Sequence, residues 1–467
     1  MRRAHEDSRG KVRVLLQNKP LIIFIIALMC ILFGFAAGMG PFLSLFFIVI
    51  PIIVLMFYNP TYAFYLFVAS LPLYVVPIKA LSASIPRVMG IILFTVWAPY
   101  VFFTGKFKLM KWDRLFVMMI IFYGWMVLSS TWSLLPEGAY IIMRSTGQLM
   151  LSIIIGLTLI NKPDKFNHVV IIVLVTCMAA GFRSFGMSML TTERVVGIEG
   201  YDQNEFASML LAPLMIAFSL YNYQDSKWKM VFYIVVGIGC FMGALSTVSR
   251  GFVLSVLSSL VTLYRLEPRK KKMLALLIVL LVAAGPYYIQ KYSERIGKER
   301  FELSSTAEVP RGRLGIWLIG WEIYKNHPIF GVGLSGFPVA FDEELKKDPT
   351  RIGFRQYGRA AHNDYLMIMT ELGTIGLMLW LALIIQVFRK GFRTYDILVR
   401  TKEDYLAAVS RGAISGFVGL LVASMFLGLY HSKYMWLLLT LFVLLANIAR
   451  TVRAESDDKA IKRIPEP

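Results

Sequence analysis

The chain has 467 residues, of which 57% are hydrophobic, and it carries a formal net charge of +20 with a mean hydropathy of +0.63. Apolar runs recur from residue 20 to residue 450. Because only a helix satisfies its own backbone polar groups in hydrocarbon, they predict an all-α, polytopic membrane bundle and exclude a soluble enzyme. The basic residues lie in separate loops, so the positive charge indicates contact with membrane lipid headgroups and no nucleic acid.

The apolar runs divide the chain into five regions: a cytoplasmic N-terminus at 1–19, an N-terminal transmembrane bundle at 20–290, a polar loop at 291–361, C-terminal transmembrane helices at 362–450 and a cytoplasmic tail at 451–467. No small-residue cleavage site follows the first apolar run, so we expect it to be a retained anchor. We predict fourteen spans, or twelve if a pair near the N-terminus is re-entrant: 20–40, 42–58, 61–78, 87–104, 115–132, 140–160, 166–186, 204–223, 230–248, 250–265, 273–290, 362–388, 405–428 and 434–450.

The distribution of Lys and Arg gives the orientation of these spans, since cytoplasmic loops retain positive charge. With the N-terminus inside, most of the Lys and Arg fall in short inside segments, and the short outside segments hold Lys79, Arg87, Arg194, Arg250 and Lys433. Both termini are therefore predicted to be cytoplasmic, and loop 291–361 to lie on the other side.

Several arginines lie near that outer face, where the charge rule predicts few of them. Guanidinium groups grip phosphate oxygens in a bidentate way and stay charged when partly desolvated, so this group indicates an anionic ligand such as a diphosphate. The alternative is that each one reaches a headgroup or pairs with an acid, as Arg194 could with Glu193 or Glu199. The five candidates are Arg144, Arg183, Arg194, Arg250 and Arg313.

The long loop contains a predicted helix with an aromatic stripe at spacings of three and four residues, which Pro328 and a "GVG" turn terminate. Such a stripe is typical of packing against other helices; the alternative is a surface for a lipid or a sugar. The stripe consists of Leu314, Trp317, Trp321 and Tyr324.

A polar group opens the apolar run that follows this loop. His362 would lie at a helix N-terminus, whose partial positive charge disfavours the imidazolium form, so a neutral ring could accept a proton as a general base. Asn363 or Asp364 could cap the helix or orient the ring. Glu371 falls inside the membrane, where we expect it to partner an arginine. The alternative is that His362 has a structural role.

The sequence offers little for a metal or a disulfide. Cys30, Cys177 and Cys240 all lie in apolar runs without paired spacing, which is typical of buried residues. An acidic run at 342–344 is typical of a solvated face.

Five stretches resemble the O-antigen ligase and polymerase superfamily of bacterial envelope enzymes: "ERVVGIEGYDQNEFA" (193–207), "STVSRGF" (246–252), "RGRLGIW" (311–317), "HPIFGVGLSGF" (327–337) and "AHNDYLMIMTELGTIGL" (361–377). The resemblance implies a GT-C-like membrane glycosyltransferase that uses no metal or other cofactor. Its donor would be an undecaprenyl-diphosphate-linked glycan, its acceptor lipid A–core, and its site would face the periplasm from the inner membrane.

The resemblance also implies roles for particular residues. The catalytic histidine of the family falls on His362, and its diphosphate-binding arginines fall on Arg194, Arg250 and Arg313. Arg144 and Arg183 rest on the membrane topology alone. The acceptor oxygen would attack from the face opposite the diphosphate, with inversion of configuration.

Three alternatives remain open. A polymerase would use a second carrier-linked unit as acceptor, and a protein glycan ligase would use a Ser or Thr hydroxyl. In the pattern of the family that the chain resembles, one long outer loop close to His362, with no second loop of similar length, favours the ligase. A polysaccharide-lipid transporter should instead place basic residues at several depths along a path; apart from Arg411, the embedded arginines cluster at one face.

Overall fold

The computed structural model describes residues 56, 59–72, 77–78, 83–105, 113–190, 203–247, 249–267, 313–347 and 358–461. The chain divides into two compact units, Met1–Ala63 and Phe64–Pro467. The contacts below all belong to the second unit.

The described elements are almost entirely helical. A two-residue antiparallel ladder pairs β1 (Pro77–Ile78) with β2 (Ala83–Ser84), and a short 3-10 turn covers Ser130–Trp132. The α-helices are α1 Pro60–Ser70, α2 Ile85–Thr104, α3 Arg114–Ser129, α4 Pro136–Leu159, α5 Pro163–Leu190, α6 Gln203–Met209, α7 Leu211–Tyr223, α8 Lys227–Leu245, α9 Arg250–Leu266, α10 Arg313–Asn326, α11 Phe337–Lys347, α12 Asp364–Arg400, α13 Asp404–Ala423 and α14 Lys433–Ile461.

Nine segments of the described chain are long and apolar enough to cross a membrane, and α9 is a shorter apolar helix. We call the end of the bundle at which α2, α4, α9, α12 and α14 begin the upper end, and the opposite end the lower end. The predicted polytopic helical bundle is confirmed. The predicted spans 20–40, 42–58 and 273–290 lie outside the described residues, apart from Met56.

Two predicted spans differ from the structure because of proline. The span 61–78 is wrong, since α1 ends at Ser70 and β1 follows; Pro72 has no backbone N–H and disfavours the helical conformation at Leu71. The span 204–223 is two helices, α6 and α7, separated at Leu210. Pro213 would clash with the carbonyl of Met209 in a continuous helix.

Glycines allow the central helices to approach closely. A Cβ atom at Gly412 or Gly416 of α13 would overlap the backbone of α7 at Ile216 or Ala212. In membrane bundles such small residues replace the hydrophobic driving force with close van der Waals contact. Helix α13 also packs against α9 and α12, so the C-terminal helices interleave with those of the predicted N-terminal bundle.

Candidate active site at the upper end

The start of α12 is fixed by local hydrogen bonds. The side chain of Asn363 accepts a hydrogen bond from Leu366 N at 3.2 Å and forms the N-cap, as one of the two sequence alternatives predicted. His362 precedes it, half-buried, with a φ of 48°, a conformation that non-glycine residues adopt only when their surroundings hold them there. The indole of Trp317 donates to the carbonyl of Ala361 at 2.9 Å, so α10 helps to hold His362 in place.

Asp364 joins the start of α12 to the loop between α13 and α14. Its Oδ1 accepts hydrogen bonds from Leu429 N at 2.6 Å and Tyr430 N at 2.9 Å, and its own N–H donates to the carbonyl of Ser424 at 2.8 Å. The side chain is fully buried. The carboxylate therefore ties residues 424–430 to the segment that carries His362.

Glu371 lies one layer deeper and is also fully buried. Its Oε2 accepts from the hydroxyl of Tyr430 at 2.7 Å, and its Oε1 accepts from Phe337 N at 3.3 Å. The expectation of an arginine partner is wrong among the described residues, because hydroxyl and amide donors satisfy the carboxyl group instead. Burial, followed by the negative charge of Glu371, raises the pKa of Tyr430 well above its usual range, so the phenol stays a donor.

Residues 327–336, which we call the clasp, wrap around a break in α12 at Gly373, where φ is 69°. The freed carbonyls of Thr370 and Glu371 accept from Val332 N and Gly333 N, each at 2.9 Å, and the carbonyl of Leu372 accepts from the indole of Trp125 at 3.0 Å. Unsatisfied backbone groups are costly at membrane depth, so these partners are what permits the break. The "GVG" turn of the sequence therefore approaches the backbone of α12.

A cavity of about 400 Å³, which we call the upper cavity, lies beside these loops. Its charged and polar walls come from α2, α4, α6 and the start of α14. They consist of Ser84, Arg87, Arg144, Ser145, Gln148, Glu205, His431, Ser432 and Lys433.

The upper cavity is predominantly cationic. In the described part of its lining, Arg87, Arg144 and Lys433 face one carboxylate, Glu205. Among the described residues Arg87 and Arg144 form no ion pair, and the guanidinium carbon of Arg144 lies 5.4 Å from the ring centre of Tyr140. Two unpaired guanidinium groups at a polar cavity are suited to a phosphate-bearing ligand.

His431 lies at the wall of this cavity. Its ring packs edge-on against Tyr430 with centroids 4.7 Å apart, and its buried Nδ1 has no hydrogen-bond partner in the described part of the chain. Burial lowers the pKa of His431 to about 4, so the ring is neutral near pH 7.

The five arginines that the sequence singles out do not all converge on this cavity. Arg144 lines it, whereas Arg183 is exposed on α5 and is not among the lining residues. Arg250 opens α9 at the upper end, and its backbone alone is described. Arg194 lies outside the described residues. Arg313 opens α10 and is half-buried.

His362 itself is not among the residues that line the upper cavity. It precedes Asp364, whose partner Tyr430 is the chain neighbour of His431, so the two histidines lie on segments that are hydrogen-bonded together. Sequence reasoning missed Arg87, Lys433 and His431 as site residues. The signal was present for two of them, because Arg87 and Lys433 are among the few cations of the short outer segments.

The aromatic stripe of α10 is partly packed, as predicted, and partly exposed. The buried face of α10 consists of Gly315, Ile316, Ile319, Gly320 and Ile323. Leu314 and Trp321 are 58% and 49% exposed, and the tilted rings of Trp321 and Tyr324 have centroids 5.3 Å apart. Trp317 and Tyr324 hydrogen-bond to Ala361 and Thr374, so the part of the stripe that is open to a ligand or to lipid is Leu314 and Trp321.

Sequence comparison identifies the region that carries these features. The family described as O-antigen ligase matches residues 234–381, which include α9, α10, the clasp, His362 and Glu371. No curated protein matches the chain. Among the described residues no group of three or more His, Cys, Asp or Glu side chains is arranged to hold a metal ion. Residues 234–381 are thus similar to the O-antigen ligase family, which supports the resemblance that the sequence motifs indicated.

Proposed function

We propose that this protein is an O-antigen ligase of the bacterial inner membrane. It transfers a glycan from undecaprenyl diphosphate to lipid A–core at the periplasmic face, with the upper end of the bundle outside. The family match supports ligase or polymerase chemistry in general. The observation that carries the proposal is the cationic upper cavity next to the loops that hold His362.

In this proposal, cationic side chains of the upper cavity bind the diphosphate of the donor. Arg87, Arg144 and Lys433 contact phosphate oxygens at the membrane edge, with the Ser84 and Ser145 hydroxyls as further donors. Negative charge grows on the leaving diphosphate as its bond to the sugar breaks, so fixed cations stabilise the transition state more than the ground state. The resemblance also implies diphosphate contacts for Arg194, Arg250 and Arg313, which are not among the described residues that line the upper cavity.

His362 acts as the general base. The acceptor oxygen attacks the anomeric carbon, the bond from that carbon to the diphosphate oxygen breaks, and the diphosphate leaves with the electron pair. His362 takes the acceptor proton, which a neutral ring at a helix N-terminus is suited to do. Attack opposite the leaving group inverts the configuration at the anomeric carbon. Arg411, deep in α13, is paired with Glu267 at 3.4 Å, which gives little support to a transporter path.

The proposal is tested by reconstituting the purified protein with a synthetic carrier-linked glycan and lipid A–core. His362→Ala is expected to reduce turnover by at least about 100-fold, because a general base contributes 10²–10⁴ in rate, while the protein still binds the carrier lipid. Arg144→Gln is expected to raise the donor KM about tenfold through the loss of a charge-assisted contact.

Arg183→Gln is the matched control, since it removes the same charge at an exposed position outside the upper cavity. Its donor KM should stay within about twofold of the parent. Full activity of the His362 variant, or equal effects of the two arginine variants, would contradict the proposed site. Offering lipid A–core and a second carrier-linked unit separately distinguishes ligase from polymerase, and a chelator arm tests the absence of a metal requirement.

A further inference from the structure

The lower end of the bundle carries a second cationic region, which the transferase proposal does not use. Three adjacent cavities of about 540, 320 and 350 Å³ run between the start of α3, the lower half of α12 and α14. Arg393 lines all three, so they form one continuous feature, which we call the lower groove. Of the described residues, seven Lys and Arg side chains and three Asp side chains line it.

The acids of the lower groove do not neutralise its cations. Asp113, which caps α3, binds Lys390 Nζ at 2.5 Å and is also paired with Arg450. Asp457 lies 3.6 Å from Arg453. Among the described residues, Arg389 and Arg393 form no ion pair with an acid. The described lining therefore carries net positive charge, and an anion in the groove would reduce the repulsion between its cations.

The position of the groove along the helices indicates the source of such an anion. The apolar run of α12 ends at Arg389 and that of α14 ends at Arg450, which is where a span meets the lipid headgroups. Exposed apolar side chains lead along α12 toward Arg389: Met378, Leu381 and Ile385, with Phe392 beyond it. Their spacing places them on one helix face, so an acyl chain can lie along it beneath a headgroup.

We propose that the lower groove binds the phosphate of an anionic phospholipid from the leaflet at that end, with Arg389 and Arg393 as the main contacts. Arginine forks bind phosphate oxygens in pairs, and the apolar face of α12 holds the lipid chain. Free phosphate could bind the same arginines, but it has no acyl chain to pack against the apolar face of α12.

The test titrates the purified full-length protein in a neutral detergent with phosphatidylglycerol, phosphatidylcholine or inorganic phosphate, and follows bound lipid by native mass spectrometry. Phosphatidylglycerol is expected to bind at least about tenfold more tightly than phosphatidylcholine. The double variant Arg389→Gln, Arg393→Gln should weaken phosphatidylglycerol binding about tenfold or more through the loss of charge-assisted contacts.

Lys227→Gln with Lys229→Gln is the control, because it removes the same charge at exposed positions at the lower end, outside the groove. It should leave the affinity for phosphatidylglycerol within about twofold of the parent. An equal loss in both double variants, or no loss in the groove variant, overturns the proposal in favour of unspecific attraction. Binding of inorganic phosphate without phosphatidylglycerol overturns the lipid assignment.

Discussion

Two histidines at the upper end of the bundle have different surroundings. His362 precedes a capped helix and has a positive φ, whereas His431 is packed against Tyr430 at the cavity wall. The hydrogen bonds of Asp364 connect the two segments. A shift in the loop that carries His431 should therefore also move the proposed base His362.

His431 gives a prediction about pH. Its pKa is about 4 in the folded protein against an ordinary 6.5, so the unfolded chain binds the extra proton between these values and the folded chain does not. Stability is therefore full above pH 6.5 and falls as the pH drops toward 4. The loss at pH 5 should be of the order of 2 kcal/mol.

Thermal melting of the detergent-solubilised protein from pH 7.5 to pH 4.5 measures this effect. His431→Gln removes the titrating group, and the difference between the parent and variant curves isolates its contribution from that of the buried carboxylates. Parallel curves for the two proteins would mean that His431 is protonated as readily when folded as when unfolded.

At the scale of elements, the upper end depends on the clasp and the break in α12. Gly373 combines a φ of 69° with close contact to the backbone of Ile329. An added Cβ atom there would overlap that backbone, which cannot move without losing the bonds that satisfy Thr370 and Glu371. The positive φ and the lack of space for a Cβ atom therefore both require glycine at position 373.

Gly373→Ala is predicted to lower the melting temperature far more than Gly105→Ala. Both glycines have a positive φ, 69° and 64°, but a Cβ atom at Gly105 meets nothing within 4 Å. Gly105→Ala should cost about 1 kcal/mol from backbone strain alone. Gly373→Ala should cost several times as much, because its ψ of −171° places it in a region that is essentially restricted to glycine and because the clash is added. Equal changes, measured by fluorescence-detected melting, would show that the clasp does not hold the break rigidly.

For the whole molecule, the proposed orientation places the upper cavity on the periplasmic side of the inner membrane. The two ends of α4 test it, because Glu137 and Asn161 are both exposed and lie at the upper and lower ends. A membrane-impermeant maleimide should label Glu137→Cys in intact spheroplasts, and should label Asn161→Cys only after permeabilisation. The native Cys177 and Cys240 are buried and give little background.

The parent protein, probed in the same way, is the control for the native cysteines, including Cys30. Labelling of Asn161→Cys but not of Glu137→Cys in intact spheroplasts would reverse the orientation and contradict a periplasmic site. A donor at the periplasmic face could then not reach the upper cavity, although the geometry of the cavity would be unchanged.

Sequence alone determined the membrane class, most of the described spans, the helix start at Asn363 and the resemblance to the family. These depend on local physics: apolar length, helix capping and the placement of charge along the chain. Proline placement was also available from the sequence, and it accounts for the error at 61–78 and for the division of the span 204–223 into two helices.

Only the tertiary structure decided which side chains share a cavity. Arg87, Arg144 and His431 come from distant parts of the chain, and Glu371 finds a tyrosine in a loop 59 residues away. Arg183 lies at the predicted end of the bundle but not at the cavity, because helix packing decides which face of α5 points toward the other helices. Membrane depth follows from position in the sequence, whereas side-chain neighbours follow from packing between helices.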